Sequence, residues 1–126
     1  MQVNFNPSVN YQRPQFKAVL EMPTKEVFEK HAGKFCAEQI EKARPDIEKL
    51  AKAATEIEII DVRPTYIKGL MCKPSIYISA FSKRGDVAGW PRLEPSDART
   101  GQSFSEFLVE TVKEAIRLAK DGDWLS

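Results

Sequence analysis

Residues 84–102, RGDVAGWPRLEPSDARTGQ, separate an alternating segment from a strongly amphipathic one, and they show neither a strand nor a helix period. Read as a loop, they leave the rest of the chain in the order β, α, β, optional β, β, α. A domain of this size has a radius of gyration near about 14 Å, which roughly ten extended residues would cross, so the stretch is longer than its connection demands. Surplus length is tolerated, because doubling a loop costs only about 0.6 kcal/mol in closure entropy. Trp90 is the one residue here able to anchor it. Burying its side chain removes about 200 Å² from water, worth at most about 5 kcal/mol, against about 1 to 2 kcal/mol for each residue ordered. The expectation is a pinned segment from Gly89 to Leu93, stiffened by Pro91, with Trp90 packed on the open sheet face near Tyr77 or Phe81. If Trp90 is exposed instead, it and Arg92 are a partner's anchor, because tryptophan and arginine are enriched at binding hot spots. The Arg84-Gly85-Asp86 tripeptide reads as a turn after the preceding strand.

On the N-terminal side of that stretch, SIYISAFS (75–82) sets Ile76, Ile78 and Ala80 against Tyr77 and Phe81, as a strand apolar on both faces would. EIEIIDVR (56–63) also has strand period, but Ile57 and Ile59 are out of step with Ile60 and Val62, which calls for a bulge or two-sided burial. Between these, TYIKGLM (65–71) is a candidate edge strand. QFKAVLEM (15–22) alternates cleanly, with Phe16, Ala18, Leu20 and Met22 on one face. From Thr24 to Thr55 a single apolar stripe includes Phe28, Ala32, Phe35, Cys36, Ile40, Ala43, Ile47 and Ala51. Thr24 stands at its N-cap, and Pro45 interrupts it, so a kinked helix or two collinear ones are expected. SFSEFLVETVKEAIRLAK (103–120) carries a Ser103/Glu106 capping box and a stripe through Phe104, Phe107, Leu108, Val112, Ala115, Ile116 and Ala119, with Gly122 placed to end it. The predicted fold is an α+β two-layer sandwich with a mostly antiparallel sheet of three or four strands and two main helices. One domain covers 15–126, preceded by an irregular or disordered arm over 1–14.

The whole chain has 126 residues and a formal net charge of +1, which speaks against a strongly basic nucleic-acid binder. No apolar run reaches the roughly 20 residues of a membrane helix, and no signal segment is visible. With Cys36 and Cys72 read as reduced thiols, the expectation is a cytoplasmic protein without membrane contact. No nucleotide-binding glycine loop, hydrolase elbow or metal-ligand spacing occurs, so no cofactor or metal is expected. His31 and Cys36, five residues apart on one helix, point roughly 140° apart and do not share a metal. Asp61 and Arg63 stand together in an apolar strand. An exposed cross-strand pair is the preferred reading, and a small catalytic site near Asp61 and Arg63, with His31, is the alternative.

Arg63, Lys68, Lys73, Lys83 and Arg84 lie in a stretch without acidic residues, interleaved with Tyr66 and Tyr77, which would suit phosphate contact and base stacking. Lysines and prolines at sheet edges also serve to block aggregation. The N-terminal VNFNPSVNYQRPQFKA (3–18), rich in Asn and Pro, resembles the leaders of small uncharacterised proteins of gut-associated bacteria. That resemblance implies a bacterial origin and no particular activity. The function expected is a non-catalytic interaction domain that binds a protein partner, or a second copy of itself, through Trp90, Arg92 and Arg84. Nucleic-acid binding through the basic strip is the alternative.

Overall fold

The computed structural model describes residues 18–65 and 73–122. The expected 1–14 arm, most of the candidate strand 65–71, including Tyr66 and Lys68, and Cys72 lie outside the described residues. The elements are β1 (Val19–Glu21), α1 (Lys25–Ala53), β2 (Ile57–Pro64), β3 (Ile76–Ser82), β4 (Val87–Leu93), a 3-10 turn at Pro95–Asp97, and α2 (Phe104–Asp121). The strands form one sheet in the order β1-β2-β3-β4. Both helices pack on the sheet and on each other, which gives the expected two-layer α+β arrangement. β1 runs parallel to β2, and the other pairings are antiparallel. A parallel pair needs a long crossover, and α1 supplies it. No helix of the described residues is long and apolar enough to cross a membrane.

The sequence places most core residues correctly. Ile60, Val62, Ile76, Ile78 and Ala80 are sealed beneath the helices, facing Phe28, Ile40, Ile47, Leu108 and Val112, and Ala88, from the stretch read as a loop, joins them. The expected bulge occurs between Ile57 and Ile59, where an extra residue brings both Ile57 and Ile60 into the core. On α2 the capping box forms as read: Glu106 N–H donates to the Ser103 hydroxyl, and Ser103 N–H donates to the Glu106 carboxylate. Gly122 ends the helix in the left-handed conformation.

Three expectations are corrected. The segment 84–102 is not a loop throughout, because it holds β4. Hydrogen bonds from β3 to Val87–Leu93, and not Trp90 alone, order this backbone without apolar periodicity. In α1 the break falls at Gly33 (φ 87°, ψ 166°), not at Pro45. Pro45 lies on the solvent side, where water can satisfy the carbonyl one turn earlier, so the helix runs through it. Glycine alone takes the Gly33 conformation without a Cβ penalty. Beyond this break Phe35 leaves the buried stripe and is 54% exposed.

Candidate interaction surface

The register of β4 decides where Trp90 goes. Trp90 pairs with Ile78, so it shares the helix-facing side of the sheet and does not cover Tyr77 or Phe81 on the other side. The cover reading is therefore overturned. Trp90 is partly buried against the core and lines a mostly apolar groove of about 690 Å³ between β4 and α2. Arg92 and Leu93 of β4 and Phe107, Thr111 and Glu114 of α2 complete much of its wall. Between Trp90 and Leu93 the pairing slips by one residue, so Pro91 and Arg92 oppose Tyr77 as a bulge. Arg92 reaches Glu94 at 3.9 Å.

Arg84 does not join Trp90 and Arg92. It donates to the Lys120 carbonyl at the C-terminal end of α2 and pairs with Asp86 at 3.0 Å, beside Gly122. A cation there satisfies a free carbonyl and the negative end of the helix, which is a structural task.

Phe35 is the surface residue that the sequence reading put in the core. Its ring stacks with Phe104 at 6.4 Å, and Phe104 stacks with Phe107 at 6.2 Å. An aromatic band therefore runs from an exposed ring on α1 to the Trp90 groove. Gly33, two residues earlier, was the available signal, since a glycine can re-phase a helical stripe. A second, polar cleft of about 530 Å³ between α1, the 99–102 turn and α2 is lined by Lys42, Asp46, Arg99 and Glu110 among others. Of its carboxylates, Glu110 accepts a hydrogen bond from Arg99, which holds it below the usual carboxylate range.

On the sheet face away from the helices, Asp61 lies across from Ser79, and Arg63 across from Tyr77. Asp61 is 8% exposed, so the expectation of an exposed cross-strand pair is corrected. Its ion pair runs along its own strand to Arg63, at 3.6 Å, and the Arg63 guanidinium lies over the Tyr77 ring at 4.6 Å. Burial pushes the Asp61 carboxyl up, Arg63 opposes this, and Glu21 adds to it. The Ser79 hydroxyl is buried without a hydrogen-bond partner among the described residues.

These groups do not assemble a catalytic centre. His31 lies exposed on α1, on the helix side of the sheet, whereas Asp61 and Arg63 face the opposite way. Cys36 is a free, buried thiol whose pKa is raised by burial. Among the described residues, no group of three or more His, Cys, Asp or Glu side chains could hold a metal ion.

Nor do the described cations of the basic strip form one patch. Lys73 borders the hollow beside Phe35 and Pro95, and Arg63 stacks on Tyr77. Lys83 and Arg84 follow the far end of β3, roughly 20 Å away at about 3.3 Å per residue. No known protein family, curated protein or solved structure matches the chain, so its function is read from its own geometry.

Proposed function

We propose that the chain is a small, non-catalytic protein-interaction domain whose binding surface is the groove between β4 and α2. The observation that carries this reading is the partly buried Trp90 set beside Phe107 and Leu93 in a mostly apolar groove, with Arg92, Lys113, Glu110 and Glu114 at its walls. An aromatic centre within a charged rim is the anatomy of a binding hot spot. The aromatic band to Phe35 extends the apolar surface beyond the groove. A bacterial, cytoplasmic setting belongs to the same proposal, supported by the leader's resemblance and by the free thiol of Cys36.

The test compares proteins retained by the immobilised chain and by its Trp90→Ala variant, using extract from the source cells and identification by mass spectrometry. A partner retained by the first and lost, by about tenfold or more, from the second supports the reading, since a hot-spot truncation costs about 2 kcal/mol or more. Equal retention by both, with circular dichroism unchanged, rejects the groove as the binding surface.

A further inference from the structure

Among the described residues β4 is an edge strand, and its backbone specifies what can dock on it. The Ser82 N–H donates to the Asp86 carbonyl, and the pairs Ala80/Ala88 and Ile78/Trp90 follow at the same phase. In an antiparallel ladder hydrogen-bonded pairs alternate with non-bonded ones, so the N–H and C=O groups of Val87 and Gly89 point away from β3. No described residue bonds to them. The outward run stops at Pro91, which has no N–H and whose carbonyl accepts the Thr65 hydroxyl. Among the described residues this leaves a short template of two donors and two acceptors.

The same strand forms one wall of the Trp90 groove. An extended chain laid along β4 would satisfy the outward groups of Val87 and Gly89. Because strand side chains alternate, every second residue of that chain would project toward α2, over the groove. Ala88, the residue between the two outward positions, is small and fully buried, so a large incoming side chain opposite it meets no bulky neighbour from β4. Phe107 and Trp90 supply the apolar contact.

We propose that the chain binds an extended segment of a partner protein as an added strand on β4, with alternate apolar side chains of the segment seated against Phe107 and Trp90. This rests on the interaction-domain reading and names its partner. Hydrogen bonds to Val87 and Gly89 give sequence-independent affinity, and the groove selects the apolar positions.

The probe is a library of random dodecapeptides displayed on phage and selected on the immobilised full chain. An enriched peptide is then synthesised and added to the isotope-labelled chain. The expected result is a set of sequences apolar at alternate positions, and amide exchange at Val87 and Gly89 slowed about tenfold or more by the bound peptide. Val87→Pro removes only an outward N–H, which edge strands tolerate, and should weaken binding about tenfold with circular dichroism unchanged. Should that variant fail to fold, exchange in the unmodified chain decides. An absence of enriched sequences overturns the proposal. So does protection of Val87 and Gly89 in a free dimer, because a second copy then occupies the edge. A peptide that binds and is lost with Trp90→Ala, yet leaves Val87 and Gly89 unprotected, rejects strand addition while retaining the interaction surface.

Discussion

Asp61 and Gly89 show how much a single position in this sheet can hold. Burial raises the Asp61 carboxyl above its ordinary value, more than Arg63 lowers it. A raised acid binds its proton more tightly in the folded chain than in the unfolded one. Its contribution is therefore most favourable below the unfolded value and is lost as pH rises through the folded one. Asp61→Asn should accordingly stabilise the protein at pH 7 relative to the parent, and that gain should shrink below about pH 4, near the ordinary Asp value. Urea titrations at both pH values measure it, and a constant or growing gain on acidification would exclude burial as the cause. At Gly89 a Cβ would stand 2.8 Å from the Ser79 Cβ and 3.1 Å from the Ile78 carbonyl. Gly89→Ala is expected to cost about 1 to 3 kcal/mol by overpacking, with part of the loss recovered in a Ser79→Gly background. Equal losses in the two backgrounds would show that Ser79 is not what the methyl meets. The Gly89 requirement cannot be read from the sequence, because it arises from how closely β4 approaches β3.

At the scale of the element, α2 was legible almost throughout and α1 only in part. Ser103, Glu106 and Gly122 act through neighbours three or four residues away, so their roles survive without knowledge of the fold. In α1, Pro45 and Gly33 are both breakers, and local propensity ranks the proline first. The structure reverses that order, since Pro45 is exposed and Gly33 adopts a conformation closed to other residues. Pro45→Ala restores a hydrogen bond to the carbonyl of Glu41 without disturbing the core. It is expected to raise stability by about 1 to 3 kcal/mol, read as a higher melting temperature. A loss of stability would mean that Pro45 holds a local bend on which packing depends. β4 was missed because an edge strand with a glycine, a proline and a bulge has little period of its own, and its partner β3 supplies its order.

The described residues form one sheet beneath two helices with one continuous core, so Gly89→Ala on the sheet and Pro45→Ala on the helix should shift the same unfolding transition. Their effects should add to within about 0.5 kcal/mol, because they lie on different layers. Two resolved transitions would show that the layers unfold separately. By itself the sequence determined the α+β class, the two helices, three of the strands, a break of phase in β2 and most of the core, because apolar period and capping are encoded between near neighbours. It also named Trp90 and Arg92, which share the groove. Only the tertiary structure decided the fourth strand, the side of the sheet that Trp90 faces, the exposure of Phe35, and the separation of Arg84 from Trp90 and of Lys83 from Arg63. Each of these depends on pairing register or on a helix break, and residues distant in the chain settle both.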